Sequence, residues 1–241
     1  MEVKKFYELV YDKFNIEIKA HTKKNIILFE ELFREYNNHT NLMSKADIQY
    51  LYEKHIFDSL SLNLFLCKYG LNANISKLLD IGAGGGFPSI PLAIVKDNLD
   101  IYALDSIEKK IKFIKNIQFR LRLNNLKTLC SRVEKLSRDL RSFFDLSTSR
   151  AVAPLNVLLE YAIPFIKEDG YFIAYKSKLY KEEINKAQIA LKKLKSEIVD
   201  IIEYSLPLEE NYERYLIIVQ KKEKTPNKYP RSTIKIKSSP L

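Results

Sequence analysis

Apolar residues in the N-terminal third of the chain recur with the spacing of amphipathic helices. In KNIILFEELFREYNN, the positions Leu28, Leu32 and Tyr36 are four residues apart and lie on one side of a helix. The two asparagines that close this stretch are typical of a helix end. A second amphipathic stretch, residues 47–66, predicts further helix with a break near His55. We therefore expect the chain to begin with a helical extension.

The pattern changes beyond residue 75, where short apolar runs alternate with longer amphipathic segments. Short apolar runs indicate buried strands and the amphipathic segments indicate helices, so the alternation predicts βαβ units and a parallel sheet covered on both faces. The runs expected to form the first five strands are, in chain order, SKLLDI, LDIYALD, LKTLCS, FFDLSTS and GYFIAYKS.

The last two apolar runs of this region indicate a different connection. IVDIIEYSLP and RYLIIVQKK are separated by the short polar segment LEENYE, which favours an antiparallel hairpin at one edge of the sheet. The pattern therefore predicts an α/β fold with a helical extension over residues 1–75, a Rossmann-like, mostly parallel sheet over residues 76–222, and a basic tail over residues 223–241. Three prolines and many charges favour an extended conformation for that tail.

The formal net charge of +10 is concentrated in two segments. Residues 107–141 carry eleven Lys or Arg against three Asp or Glu, and residues 221–241 carry seven against one, whereas the rest of the chain is close to neutral. Such clustering favours an anionic partner, and nucleic acid is the commonest large one. A solvated helix face and a disordered tail would give the same composition, so charge alone leaves both interpretations open.

Composition also bears on metals and location. Cys67 and Cys130 lie far apart, the chain has three histidines, and no spacing suits a metal site, so we expect two reduced cysteines and no metal. No uncharged apolar run approaches the roughly 18 residues of a membrane helix. The amphipathic first residues do not resemble a secretion signal. We therefore expect a cytoplasmic protein without a membrane anchor.

Four of the six glycines stand in one stretch, LLDIGAGGGFPSIPLAI, which predicts a strand, a glycine turn and a helix. This arrangement presents backbone N–H groups to a ligand. A phosphate-binding loop would require Lys followed by Ser or Thr where Phe87 and Pro88 stand. Gly82 and Gly84 fit a dinucleotide motif, but Phe87 replaces its third glycine. S-adenosylmethionine is the third candidate, and Asp80 would suit its ammonium group.

A carboxylate at the end of the second predicted strand supports a nucleoside ligand. Asp105 follows Gly82 by 23 residues, where an acid can accept hydrogen bonds from both ribose hydroxyls. An acid in this place would also stabilise the dipole of the following helix. Asp105 suits NAD and S-adenosylmethionine equally, whereas the terminal hairpin favours a methyltransferase over a dehydrogenase.

Two common classes of methyl acceptor are disfavoured by the sequence. Methylation of adenine or cytosine amino groups commonly uses an Asn/Asp-Pro-Pro-aromatic motif after the fourth strand, where this chain has STSRAVAPL. Methylation of cytosine C5 needs a cysteine nucleophile that typically follows a proline, whereas Cys67 and Cys130 each follow a leucine. We therefore expect neither chemistry.

Several motifs occur in the order seen in one methyltransferase family. DIGAGGGFPSIPLAI, LDSIEKKIKFI, SRAVAPL and YPR, with the upstream NNHTNLMSKAD and EKHIFDSL, resemble the bacterial glucose-inhibited-division B family. The resemblance covers nearly the whole chain. It implies a class I methyltransferase fold, S-adenosylmethionine as cofactor, and methylation of guanine N7 in 16S ribosomal RNA. The implied partner is that RNA or the small ribosomal subunit, and no protein partner is implied.

Other functions remain compatible with these residues. They are a methyltransferase of another RNA or of a small molecule, an RNA-binding module with a vestigial cofactor pocket, and a nicotinamide-dependent dehydrogenase, which Phe87 disfavours. Guanine N7 as acceptor would explain why no general base stands out. N7 carries a lone pair and no proton, so proximity and orientation can supply most of the rate.

The resemblance and the predicted fold together nominate site residues. Asp58 and His55, three residues apart, and Arg150, at the end of the fourth predicted strand, are candidates for a catalytic role. For His55 and Asp58, a helix-stabilising pair is the favoured interpretation. Arg150 is expected at the rim of the cleft, where it could meet the cofactor carboxylate or the RNA, with a structural salt bridge as the alternative. The residues expected to contact the cofactor are Gly82, Gly84, Phe87, Asp105, Val133, Glu134 and Arg150. The residues expected to contact RNA are Lys109, Lys112, Lys176, Arg231 and Tyr229, the last by stacking on a base.

Overall fold

The computed structural model describes residues 2–40, 42–71, 77–208 and 212–241. Two features of the predicted organisation therefore lie outside the described residues: the boundary between extension and sheet at residues 75–76, and residues 209–211 of the hairpin loop. None of the described helices combines the length and the apolar composition needed to cross a bilayer.

The described residues contain seven strands: β1 Lys77–Ile81, β2 Asp100–Asp105, β3 Leu126–Cys130, β4 Phe144–Arg150, β5 Ile166–Lys176, β6 Ser196–Leu206 and β7 Tyr212–Lys221. They form one sheet in the order β3-β2-β1-β4-β5-β7-β6. Strands β1 to β5 run parallel to one another, and β7 pairs antiparallel with both β5 and β6. The predicted mostly parallel sheet with an antiparallel edge hairpin is confirmed.

Helices surround the sheet and form the N-terminal extension, as predicted. The break predicted near His55 is a π-helical turn, Leu51–Ile56, that leads directly into the next helix. The α-helices in the described residues are α1 Val3–Phe14, α2 Ala20–Thr40, α3 Lys45–Ile48, α4 Phe57–Leu60, α5 Leu62–Lys68, α6 Ser89–Val95, α7 Glu108–Leu121, α8 Leu155–Ala162, α9 Tyr180–Leu194 and α10 Thr233–Ser238.

The central strands of the sheet are buried on both faces. Because successive strand residues point to opposite sides, Leu78 and Ala103 belong to the core on the side of the N-terminal helices, whereas Leu79 and Leu104 belong to the core beneath α8 and α9. Burial on both faces explains why these strands are nearly continuous apolar runs in the sequence.

Helix α2 packs directly against the exit of the glycine turn. The rings of Phe29 and Phe33 lie 5.6 and 5.4 Å from the ring of Phe87, centroid to centroid. Phe33 also contacts Phe113 of α7 at 5.6 Å. Aromatic contacts of this kind contribute about 0.5–1.5 kcal/mol each beyond the area that they bury. The N-terminal extension therefore fixes the position of Phe87, and with it the end of the turn.

The tail does not have the extended conformation predicted for it. Residues 222–241, called here the C-terminal strap, fold back over α8 and include a helix whose Ile236 is fully buried. The guanidinium of Arg231 donates hydrogen bonds to both carboxylate oxygens of Glu160 of α8, at 2.8 Å to Oε1 and 2.6 Å to Oε2, and the Glu160 side chain is only 1% exposed. A buried carboxylate requires a partner of opposite charge, so Glu160 holds the strap in place.

Candidate active site

A cleft of about 920 Å³ opens at the carboxyl ends of β1, β2 and β4. Parallel sheets bind ligands at this end, because turns and helix N-termini converge there. The glycine turn forms the floor of the cleft, and Val152 after β4 forms one side. Met43 of the N-terminal extension and Lys237 of the C-terminal strap complete the wall. Segments distant in sequence thus share one cavity.

The glycine turn adopts conformations that favour glycine. The φ angles of Gly82, Gly84 and Gly86 are 76°, 56° and 90°, all in the left-handed region. A Cβ on Gly82 would lie 2.4 Å from Val152, whereas a Cβ on Gly84 would meet nothing nearer than a backbone oxygen at 3.8 Å. The backbone at Gly84 is therefore bare toward the cleft, and a ligand can lie directly against it.

Asp105 is held at the edge of the same cleft. Its Oδ2 accepts a hydrogen bond from the Gly84 N–H at 3.0 Å, and its Oδ1 accepts one from the Ile107 N–H at 2.9 Å. Lys110 lies 3.7 Å from Oδ2. Each carboxylate oxygen has a second acceptor site, so the side chain is oriented by the backbone and can still accept hydrogen bonds from ribose hydroxyls.

Asp80 does not take the position expected for a contact with the cofactor's ammonium group. Its carboxyl group is fully buried beneath the glycine turn, outside the cleft lining, where one oxygen accepts a hydrogen bond from the Ser89 hydroxyl. The other oxygen, Oδ1, has no hydrogen-bond partner among the described residues. Burial raises the pKa of Asp80 to about 7. Through its hydrogen bond with Ser89, Asp80 stabilises the first turn of α6.

The raised pKa of Asp80 predicts a specific pH dependence of stability. The unfolded carboxyl ionises near pH 4, whereas the folded carboxyl keeps its proton up to about pH 7. Raising the pH from 4 to 8 therefore lowers the unfolding free energy of the wild type relative to Asp80→Asn, by roughly 3–5 kcal/mol. Urea unfolding of both proteins across this range measures the difference. Parallel pH profiles would contradict the assignment.

Arg150 is the centre of a buried polar cluster on the cleft wall. Its guanidinium donates to Asp58 Oδ2 at 2.7 Å and to the Lys54 carbonyl at 3.2 Å, and it lies over the ring of Phe87. The hydroxyl of Tyr204 donates to the other Asp58 oxygen at 2.5 Å. The cluster joins the N-terminal helices, β4 and β6, so the structural interpretation of Arg150 and Asp58 is supported, while Arg150 also lines the cleft.

His55 pairs with Arg150 rather than with Asp58, so the acid–imidazole pair considered from the sequence does not form. The Nη2 of Arg150 lies 2.7 Å from His55 Nδ1. Burial, reinforced by the charge of Arg150, lowers the pKa of His55 to about 3. The imidazole is therefore neutral at pH 7, and its Nδ1 accepts the hydrogen bond from Arg150. Both nominated groups are occupied in orienting Arg150.

The sequence model of a family described as rRNA small subunit methyltransferase G matches residues 22–217. The chain belongs to this GidB family. A protein of Thermoanaerobacter sp. strain X514 named ribosomal RNA small subunit methyltransferase G is 42% identical over 212 residues, covering 87% of this chain and 86% of that protein. A protein of Streptococcus uberis with the same name is 38% identical over 238 residues, covering 98% of both chains.

Solved structures place this GidB-family chain in the class I methyltransferase fold, as predicted. An S-adenosylmethionine-dependent O-methyltransferase of Thermotoga maritima superposes with a TM-score of 0.50 at 15% identity, covering 70% of this chain and 66% of that one. The YcgJ protein of Bacillus subtilis gives a TM-score of 0.50 at 13% identity, covering 68% of this chain and 98% of that one. These similarities concern the fold.

Three residues nominated for RNA contact are engaged elsewhere in the GidB-family chain. Lys176 pairs with Glu183 at 2.6 Å, and its side chain is mostly buried. Arg231 is paired with the buried Glu160. Tyr229 is 4% exposed because the C-terminal strap folds its ring into the core. The expectation that Tyr229 is available to stack on a base is therefore wrong for this conformation.

The residues nominated near the adenine and on α7 have more open positions. Val133 and Glu134 line the cleft within a short 3₁₀ turn, and Thr233 of the C-terminal strap donates a hydrogen bond to Glu134. Lys109 and Lys112 are exposed at the start of α7. The strap thus reaches the edge of the cleft where the adenine is expected.

The cleft residues that the sequence interpretation missed include Met43, Val152 and Lys237. Val152 carries no signal beyond its place after β4. Lys237 belongs to the basic tail, but its position in the cleft wall depends on the anchoring of the strap, which the sequence pattern did not indicate.

Proposed function

We propose that this chain methylates N7 of a guanine in 16S ribosomal RNA, in the cytoplasm, with S-adenosylmethionine as the methyl donor. One observation carries the proposal: in a chain of the GidB family, bare backbone at Gly84 and the oriented carboxylate of Asp105 face one cleft. The relatives' names specify ribosomal RNA of the small subunit. The choice of guanine N7 rests on the motif resemblance.

The residues of the cleft fit the proposed cofactor. Gly84 offers bare backbone, on which the methionine part would lie, and Gly82 lines the same cleft against Val152. Asp105 would accept hydrogen bonds from the ribose hydroxyls, and Val133 and Glu134 would border the adenine. When bound, S-adenosylmethionine supplies an electrophilic methyl group on its sulfonium. The turn supplies no lysine for a phosphate, which favours this cofactor over a nucleoside triphosphate.

The protein's own groups fit an acceptor that has no proton to lose. His55 is neutral and its Nδ1 is occupied by Arg150, while both oxygens of Asp58 accept hydrogen bonds. The cluster is therefore built to fix the cleft wall rather than to remove a proton. Since guanine N7 already presents a lone pair, orientation of base and cofactor can supply most of the rate. Arg150 would position substrate or cofactor at the wall.

Two measurements test the proposed function. Calorimetric titration should show binding of S-adenosylmethionine and no comparable binding of NAD; the reverse result would favour a dehydrogenase. Incubation with labelled cofactor should then transfer the methyl group to small-subunit rRNA. Transfer to another RNA or to a small molecule would identify a different methyltransferase. Cofactor-independent RNA binding without transfer would identify a non-catalytic RNA-binding module.

Replacing Asp105 with asparagine should weaken S-adenosylmethionine binding by about tenfold or more, equivalent to about 1.4 kcal/mol. The asparagine amide has only one acceptor oxygen. Its NH₂ group would therefore face either a backbone N–H or a ribose hydroxyl, and that donor would lose its acceptor. Asp100→Asn is a matched control, because Asp100 begins the same strand and forms an exposed pair with Lys127. Equal affinities of the two variants in calorimetry would contradict the ribose assignment.

A further inference from the structure

Phe119 is the most exposed of the large apolar side chains in the described part of the chain, at 81%. It lies in the last turn of α7, on the rim of a shallow hollow. An aromatic ring held in water is unusual for a structural role, because burying it would be favourable. The hollow is lined by Gln118, Phe119, Arg120, Arg122, Leu123 and Asn124.

Basic residues lead from the cleft to this ring. Lys112 and Lys115 precede Phe119 by seven and four residues, which places all three on one face of α7. Both lysines are exposed, as are Arg120 and Arg122 beside the ring. Lys112 pairs with Glu108, but both side chains are at least 70% exposed, so this pair is easily exchanged for another anion.

The geometry of α7 connects the two sites. The helix begins at Glu108, three residues after Asp105, and therefore starts at the cleft. Phe119 follows eleven residues later, which corresponds to about 16 Å along a helix axis. Roughly five stacked nucleotides span that distance. An RNA segment with one nucleotide in the cleft can thus reach the ring.

We propose that the exposed face of α7 is a binding track for a single-stranded segment of the substrate RNA, on which a base stacks on Phe119. The proposal rests on the proposed function and extends it to the RNA that flanks the target. Phosphates pair with Lys112, Lys115, Arg120 and Arg122, and the ring provides the stacking surface. A single aromatic side chain among cations suits a base with its phosphates, since stacking and charge are the two elements of single-strand recognition.

Three substitutions of the ring distinguish stacking from apolar contact. In binding assays with a 16S rRNA fragment, Phe119→Ala should weaken affinity by about tenfold, as expected for loss of one stacked base. Phe119→Tyr should retain the wild-type affinity because it keeps an aromatic face, whereas Phe119→Leu should behave like the alanine variant. Tyr11→Ala is the control, because Tyr11 is an exposed aromatic residue on α1. All variants should bind S-adenosylmethionine like the wild type.

The charges of the track are tested separately by salt dependence. Lys115→Gln combined with Arg120→Gln should reduce the slope of log affinity against log salt by about 1.4, since each phosphate contact of a single strand contributes about 0.7. Wild-type RNA affinity in Phe119→Leu would show that apolar contact suffices without base stacking and would overturn the proposal. So would normal RNA binding by Phe119→Ala. A wild-type protein that neither binds nor methylates RNA would refute the proposed function and the track together.

Discussion

Replacing Gly84 with alanine is expected to reduce the affinity for S-adenosylmethionine by about 100-fold, equivalent to about 2.8 kcal/mol, and to abolish most methyl transfer. A Cβ at this position would contact no protein atom closer than 3.8 Å, so it would occupy space in the cleft rather than collide with the fold. The added methyl group would hold the cofactor away from the backbone of the turn, and this separation would cause the loss of binding.

Gly70→Ala is the matched control for this prediction. Gly70 has a φ of 63°, close to the 56° of Gly84, and its Cβ position is also open. Each substitution places a side chain in the left-handed region and costs about 1–2 kcal/mol of stability. Urea unfolding should therefore show similar destabilisation in both variants, while calorimetry shows loss of cofactor binding in Gly84→Ala alone. Unaltered binding in Gly84→Ala would mean that the turn does not hold the cofactor.

Replacing Arg150 with methionine is expected to destabilise the protein by about 3–5 kcal/mol. The substitution keeps an unbranched apolar stem but removes the guanidinium, and it leaves the carboxylate of Asp58, which is 5% exposed, without its positive partner. Lys127→Met provides the comparison with an exposed pair, since Lys127 and Asp100 are both more than 40% exposed. Removing that pair should cost less than about 1 kcal/mol. Chemical unfolding measures both values.

The double variant Arg150→Met/Asp58→Asn separates stability from activity. Neutralising Asp58 removes the unpaired buried charge, so most of the lost stability should return. Methyl transfer should nevertheless remain about 100-fold below that of the wild type, because Arg150 lines the cleft, where it would position substrate or cofactor. A double variant with wild-type activity would show that Arg150 is purely structural. A double variant as unstable as Arg150→Met would contradict the importance of the ion pair.

The sheet could be predicted from the sequence because its central strands are buried on both faces. Continuous apolar runs separated by amphipathic helices are compatible with few folds other than a parallel sheet covered by helices. The short segment between the last two runs favoured an antiparallel hairpin. The glycine turn could also be predicted from the sequence, since three of its glycines have positive φ angles that favour glycine. Local sequence patterns were therefore sufficient to predict the strands, the helices and the glycine turn that forms the floor of the cleft.

The errors concern contacts between segments that are distant in sequence. Tyr229 was expected at the surface because the tail is rich in charge, but one long-range pair, Arg231 with Glu160, folds it inward. The available signal was Glu160 itself, an acid inside the apolar run LNVLLEYAI. Asp80 was expected to contact the cofactor because it directly precedes the glycine turn. The sequence does not show whether the side chain of a residue at this position faces the cleft or the core beneath the turn. His55 and Asp58 are near in sequence, but Arg150 determines their arrangement.

Nucleoside analysis of methylated RNA is the decisive test of whether this chain methylates guanine N7. Unmodified 16S rRNA made by transcription, and small ribosomal subunits that contain it, would each be incubated with the wild-type protein and S-adenosylmethionine, digested, and examined by mass spectrometry. We expect 7-methylguanosine in at least one of these substrates, and its near absence with Gly84→Ala. A different methylated nucleoside, or no methylation of either substrate by protein that binds the cofactor, would contradict it.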